Sequence, residues 1–588
     1  MSRLIKLVIL SSFVFHSLAV KAEVKSSFTT QAPLYIVSDI NGDLSRLETS
    51  LKTIGLIDSD GNWIGEDAHF ISLGDIINAD YDKQPSTRKI IDLLMKLQVQ
   101  AEQQGGKVHV LLGDREIYQL QGHWGTLTAK RIEQFSDLYP QLNGISAYQQ
   151  AFSLTGQYGK WLAGLPFVIK VNDQLFTHGG ISKWIEHSEL NTLNTSLKAE
   201  LISNINAWHS LSKKDSLTYN TAISERLTTV NALAESSNKT AFLSSQDSLA
   251  ITRMGPAMYH GNQLCHPYFE KDLLREKLSN WKASRLWIGH SMASDNNVKK
   301  RFTNRLMLID TSNINTSTEG NSWVAKLTPD GETHFIDGVT GENTRAVDIN
   351  NRQLKNVYHM NVKEIEDFLR TATITKKEST KEGRTKPFKI TLERDGKILH
   401  GIFKYKDSHP FAHQGNWSRS KNYSDRYQYE VVAYKLDRLL GIGLVPITVL
   451  RKIDGKSGII QLWIDGLVSQ LQFNEKQMDF TGYCDPKDQM NMMNAFDYLI
   501  LNTDRNQTNI LYSKKDWQVW FIDHSKSFGT SKRRQRALKK YDIKASPTFK
   551  KALQLLNNKN LSEFKPWLHR KQIQSLLMRR DNILADDF

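Results

Sequence analysis

Three times in its first 115 residues the chain runs a short apolar segment into an aspartate. Residues 34–37 (LYIV) lead to Asp39, residues 69–73 lead through Gly74 to Asp75, and residues 108–112 lead through Gly113 to Asp114. Between them lie residues 44–54, with Leu44, Leu47, Leu51 and Ile54 at helical spacing, and residues 90–103, an amphipathic stretch stopped by Gly105 and Gly106. Apolar runs of strand length separated by helical periodicity predict an α/β order. Open sheets of that class bind ligands beyond the carboxyl ends of their strands, where each aspartate falls. The strand pattern resumes at residues 286–288 and 306–309. Residues 185–250, rich in Ser, Asn and Thr, read as an inserted helical lobe without a core of its own.

A second pattern starts near Phe388. Residues 388–392 and 401–405 predict a β-hairpin carrying Lys404, and residues 429–446 predict a helix followed by a Gly-Pro stop, with Glu430 in its first turn. Residues 459–463 read as a further strand, with an apolar slot for an adenine near Leu462 and Ile464. A helix over 495–501 then enters the loop DRNQTN, in which Asp504 and Asn509 stand five apart. Two short apolar runs, 510–512 and 519–522, flank a polar turn and end at Asp523. Phosphoryl-transfer enzymes present a base and two metal-holding groups in this order, with a strand lysine and a helix glutamate paired so that the lysine reaches nucleotide phosphates. Asp504 is the candidate base, Lys404 and Glu430 the pair, and Asn509 and Asp523 the ligands of Mg²⁺ or Mn²⁺, ions that favour oxygen donors. Asp497 is expected to brace the loop. No G-x-G-x-x-G precedes the hairpin, and only Gly383 is placed to approach phosphates. The charged stretch 370–386 reads as a linker or mobile loop.

At 588 residues the chain is too long for one core, so two or three domains are expected. A formal charge of +15 favours acidic partners without choosing among them. The basic run Lys532, Arg533, Arg534, Arg536, Lys539 and Lys540 reads as a solvated face, and nucleic acid is not indicated. Arg3 and Lys6, the apolar run 7–15 and the small-residue site ending at Ala22 have the form of a cleaved secretory signal. No later run is long and apolar enough to span a bilayer. Export to the periplasm or exterior is the expectation. The two cysteines, Cys265 and Cys484, fall in different expected domains; a disulfide is allowed but not required, and two unpaired, partly buried thiols are expected.

Five motifs, SDINGD (38–43), LGDIINAD (73–80), LLGDRE (111–116), FTHGGI (176–181) and IGHS (288–291), make the first half resemble the calcineurin-like metallophosphoesterases, nearest the Shewanella-like protein phosphatases. The resemblance implies one metal held by Asp39, Asn41 and a bridging Asp75, and a second held by Asp75, Asp114, His178 and His290. Against the family pattern the chain carries Asn41 for a histidine, Asn78 and Ala79 for an aspartate and an arginine, and Asp114-Arg115 for Asn-His. An amide oxygen is a poor substitute for imidazole toward zinc or iron. Arginine, charged at all relevant pH, cannot hand a proton to a leaving alkoxide, although it can hold a phosphate or neutralise Asp114. One ion of Mn, Fe or Zn is therefore expected rather than two. Residues 388–588 resemble atypical kinases of the Fam20, HipA and phosphoinositide-kinase-like groups, carried by Lys404, Glu430, Asp504, Asn509 and Asp523.

The expected architecture is α/β: signal 1–22, a calcineurin-like metallophosphoesterase sandwich with a polar helical insertion over 33–345, a linker over 346–387, and an α+β bilobal kinase-like domain over 388–588. The expected function is phosphoryl transfer from ATP to a hydroxyl on a protein or small molecule, with a weak or regulatory phosphoesterase half. The alternative is a metal-dependent phosphatase of phosphorylated substrates, with the second half as a binding module.

Overall fold

The computed structural model describes residues 25–77, 86–123, 127–214, 221–290, 297–310, 323–349, 360–380, 387–408, 425–514, 517–531, 538–539 and 543–586. The signal-like segment, Asn78, Ala79, Gly383, and Lys532, Arg533, Arg534, Arg536 and Lys540 of the basic run lie outside the described residues.

Two sheets stack in the first half. In one, Leu34–Val37, His69–Ser72 and Lys107–Val110 pair in parallel, and Trp323–Leu327, Thr333–Asp337 and Asn343–Thr344 extend the sheet beyond Leu34–Val37. In the other, Gln174–Thr177, Arg285–Ile288 and Leu306–Leu308 are parallel neighbours at the centre of seven strands. Side chains alternate across each strand. Ile36 and Ile71 therefore meet Phe176, Trp287 and Met307 between the sheets, whereas Tyr35, Phe70 and Val108 face the helices Leu44–Thr53 and Thr87–Gln103 through Leu47, Leu51, Ile90 and Leu94. Both sheets end their parallel strands at the same edge, and the motif residues leave the strands there.

At the opposite end of those strands, His109 Nε2 lies 3.1 Å from His69 Nδ1, and Phe28 packs edge-on to the His109 ring. Burial, the His69 ring and Lys107 push His109 down to about 3. Burial and Lys107 also hold His69 below its usual value, against the pull of Asp67. The unfolded chain binds these protons near the usual imidazole pKa of about 6.5, so stability is retained above that pH and lost as pH falls from there toward about 3. Denaturant midpoints at pH 7 and pH 4.5 should fall less steeply for His109→Gln than for the native chain.

The insertion differs from its sequence reading. Leu190–Lys214, Ile223–Asn231 and Ser237–Ser244 are helices, and Ala207, Trp208, Leu211, Val230 and Phe242 make a small core of their own. Wide polar faces at helical spacing hid a narrow apolar seam.

The second half has a five-stranded antiparallel sheet in the order Thr373–Ser379, Phe388–Arg394, Lys397–Lys404, Lys456–Leu462, Thr448–Ile453. The helices Val362–Thr371 and Tyr427–Leu439 share its core. Much of the expected linker is thus a capped helix and an edge strand. The strand was hidden because TITKKES is almost wholly exposed, and charge on an edge discourages further pairing. Below the sheet stand the helices Pro486–Ile500, Pro547–Leu553 and Arg570–Ala585 and a three-stranded sheet, Leu467–Ser469, Ile510–Ser513, Val519–Phe521.

The cysteine expectation is overturned: Cys265 and Cys484 form a disulfide, their Cα atoms 5.3 Å apart across a sequence separation of 219. Docking of the halves brings them together. His266 Nε2 lies 2.7 Å from the Ile442 carbonyl, Thr548 donates twice to Asp272, and Tyr268 packs on Phe549. No helix among the described residues is long and apolar enough to cross a membrane.

Two candidate phosphate sites

At the shared strand edge of the first half, Asp75, Asp114, His178 and His290 each offer a ligand atom, all within 4.8 Å of one another. Asp39, Asn41, Asp75 and His290 have φ of 51°, 56°, 52° and 46°. Such left-handed geometry is costly outside glycine and clusters where a site demands it. Glycine is required beside it: a Cβ on Gly113 would collide with the Asp75 carboxylate.

His178 Nε2 stands 3.2 Å from Asp75 Oδ1 and 3.4 Å from Asp114 Oδ1, and His290 Nδ1 stands 3.4 Å from that same Asp114 oxygen. His178 Nδ1 bonds the Leu73 carbonyl at 3.0 Å, so Nδ1 carries a proton and Nε2 is the atom turned toward the carboxylates. His178 Nε2 and Asp114 Oδ1 are buried and make no hydrogen bond. Buried polar atoms left in that state cost about 1–3 kcal/mol each, unless a ligand takes them. Burial works against charge on His178, but Asp75, Asp39 and Asp114 drive it well above the usual imidazole value. Burial, His178 and His260 hold His290 well below it. Two carboxylates and two imidazoles so arranged fit one N/O-ligated ion of the Mn, Fe or Zn kind.

Asp39 and Asn41 stand beside this quartet rather than in it. Asp39 Oδ2 accepts from Ser38 Oγ and from the His290 N–H at 3.1 Å, and Asn41 Nδ2 donates to the Asp39 carbonyl at 2.8 Å. Burial pushes Asp39 up to about 6 against the pull of His178, with Asp75 adding to the rise. Arg115 pairs through Nε with Asp75 Oδ2 at 2.9 Å, so its cation sits on the Asp75 carboxylate and not on Asp114 alone. Sequence reasoning gave no role to Glu116. Fully buried, it accepts the N–H groups of Asp75, Ile76, Ile77 and Gly113 at 2.8–3.2 Å, locking two of the motif loops together. Burial and Asp75 push it up to about 7.

In the second half the far-apart motif residues meet in one cleft. Lys404 Nζ lies 2.5 Å from Glu430 Oε1 and 3.1 Å from Asp523 Oδ1, and Asn509 Nδ2 lies 3.4 Å from Asp523 Oδ2. Burial disfavours the charge on Glu430, but Lys404 and His524 outweigh it and hold the carboxyl far below its usual range. Asp523 takes φ of 62° where the chain leaves Val519–Phe521, repeating the strand-end geometry of the other site. Asp504 lies 41 % exposed at the cleft with Lys526 Nζ 2.5 Å from Oδ2, a partner that sequence reasoning missed.

One buried arginine holds this loop in shape. Arg505 pairs with both oxygens of Asp497 at 2.8 Å and donates to the carbonyls of Asn509 and Ile522, at 2.9 and 2.5 Å. Asp497 therefore braces the loop as its position suggested, and it does so through the arginine. His524, also missed, links the same arginine to Glu430: its Nε2 is 3.1 Å from Arg505, and its N–H donates to Glu430 Oε2 at 3.1 Å. No short-range sequence signal marks His524, because its partners lie 19 and 94 residues away.

A family model described as Fam20C, Golgi casein kinase, C-terminal, matches residues 343–490. Shewanella-like protein phosphatase 1 of Plasmodium berghei is 24 % identical over 315 residues, 51 % of this chain and 74 % of the relative. Among solved structures, a cold-active protein-tyrosine phosphatase of a psychrophilic Shewanella species is 22 % identical, covering 54 % of this chain and 81 % of its own, with a TM-score of 0.40. The Golgi casein kinase with Mn/ADP bound is 15 % identical, covering 38 % and 75 %, with a TM-score of 0.28. The first half is thus similar to Shewanella-like phosphatases and the second to Fam20 kinases, both enzymes of phosphate chemistry.

Proposed function

We propose that the second half transfers a phosphoryl group from a nucleoside triphosphate to a hydroxyl acceptor, and that the first half is a one-metal phosphate site of weak or regulatory hydrolytic capacity. The observation that carries the first reading is the meeting of Lys404, Glu430, Asn509 and Asp523, drawn from a strand, a helix and two loops. Lys404, held by Glu430, grips nucleotide phosphates; Asn509 and Asp523 hold Mg²⁺ or Mn²⁺; Asp504, oriented beside Lys526, receives the acceptor's proton. A bound divalent ion supplies charge neutralisation on the transferring phosphate, the term on which such reactions chiefly depend. The kinase-like unit begins near residue 360 rather than 388, since Val362–Thr371 and Thr373–Ser379 belong to its core and sheet. Export agrees with the disulfide, a bond that persists in oxidising compartments. Incubation with labelled ATP, Mn²⁺ or Mg²⁺ and a mixed protein acceptor tests the reading; absence of both transfer and nucleotide binding removes it.

Favouring a phosphatase as the second reading are the hydrogen-bond-free ligand atoms of Asp114 and His178. Arg115 on Asp75 supplies positive charge where a second ion would sit, so the purified Asp523→Ala chain should bind about one Mn²⁺ and the double variant Asp523→Ala/His178→Ala none. Elemental analysis after dialysis gives the count; two ions on the Asp523→Ala chain would contradict the one-metal reading.

A further inference from the structure

The segment just before the helix Pro486–Ile500 belongs to the kinase-like half, yet it lies against the metal quartet of the other. His260 stacks on the His290 ring at 4.0 Å, and Tyr483 meets His260 edge-on at 4.8 Å, so one ring separates Tyr483 from a ligand. The segment is fastened on three counts: the Cys265–Cys484 disulfide, the bond from Arg253 to the Phe480 carbonyl, and the pairing of Lys183 with Asp485 and Asp488. Between the halves opens a cavity of about 690 Å³ whose wall joins Tyr259, Phe480 and Tyr483 to charged side chains, among them Lys183, Glu270 and Asp488. Tyr483 thus stands between His260, the ring stacked on the ligand His290, and this cavity. Burial pushes its phenol up against the pull of Arg253, and the Asp114 carboxylate adds to the rise, which places it within the field of the site.

We infer that Tyr483 is a specificity-determining residue of the metal site: phosphate sits at the quartet while the organic part of the phosphomonoester packs against the Tyr483 ring. This rests on the phosphate-site reading of the first half. An aromatic face contributes to an apolar ligand group beyond the area it covers, and contributes nothing to bare phosphate. The site is therefore completed by a residue that the phosphoesterase half does not contain.

The test uses the full chain with Mn²⁺ and measures calorimetric affinity for inorganic phosphate and for phenyl phosphate. Tyr483→Ala should lower the preference for phenyl phosphate about three- to tenfold, leaving inorganic phosphate unchanged. Tyr483→Phe should restore the preference. The double variant Cys265→Ser/Cys484→Ser, which loosens the segment without touching the ring, should lower it part way. Thermal unfolding of each variant separates lost folding from lost contact, and Tyr483→Leu retains bulk if alanine fails to fold. An unchanged or increased preference in the folded Ala and Leu variants overturns the inference alone. A native chain that binds no phosphate at all overturns the reading beneath it, and the inference with it.

Discussion

Asp523→Ala is expected to abolish nucleotide-dependent phosphoryl transfer, lowering turnover by at least about a thousandfold while leaving the fold intact. Asp523 is 37 % exposed at the cleft, so little packing is lost when its side chain is cut back. Its two oxygens face different partners, Lys404 at 3.1 Å and Asn509 at 3.4 Å, so one carboxylate joins the lysine proposed to grip phosphate to the amide proposed to hold the ion. Removing it withdraws a proposed ion ligand and leaves Lys404 to pair with Glu430 alone. Electrostatic stabilisation is the largest contribution in phosphoryl transfer, and losses of three or more decades are usual when such a part is removed. Labelled-ATP turnover beside a thermal unfolding curve measures it. A variant retaining a tenth of native turnover would show that the cleft does not act this way.

The second large effect falls on stability. Asp497→Ala should destabilise the second half by about 3–5 kcal/mol, because it strands a buried charge rather than merely deleting a bond. Arg505 and Asp497 are 1 % and 2 % exposed and pair through both oxygens. A water in the gap would be neutral and leave the guanidinium unpaired, and Arg505 also fixes the carbonyls of Asn509 and Ile522, the residues at and just before the two proposed metal ligands. The variant should therefore lose nucleotide binding along with its denaturant midpoint. Because Arg505→Met with Asp497→Leu removes both charges, the double variant should recover much of the midpoint without recovering binding. Urea titration of the three chains decides it; a single variant within about 1 kcal/mol of native would refute the account.

How much was legible depended on whether a signal was local. Strand-then-aspartate segments fixed the parallel core strands of the first half, since each carries its own apolar run and its own polar end. Lys404, Glu430, Asn509 and Asp523 could be ordered from sequence because each lies on or just beside a recognisable element. Glu116 could not be assigned: its work is done on backbone amides of residues 75–77 that carry no side-chain signature. The edge strand Thr373–Ser379 was read as linker because its outward charge is the very property that keeps an edge from aggregating. Nor did the spacing of two cysteines say that they meet. That followed only from the docking of two faces, each of which looks like an ordinary surface until the other is present.

The bond between Cys265 and Cys484 also constrains how the molecule is made. A chain synthesised from its amino end presents Cys265 while 219 further residues are still to come, a wait of roughly 10–40 s at ordinary elongation rates of about 5–20 residues per second. The earlier thiol must stay reduced through that interval. With two cysteines in the whole chain no other internal partner exists, so oxidation cannot trap a scrambled isomer. Closure of the bond then records one event in biogenesis, the arrival of the late half on the early one.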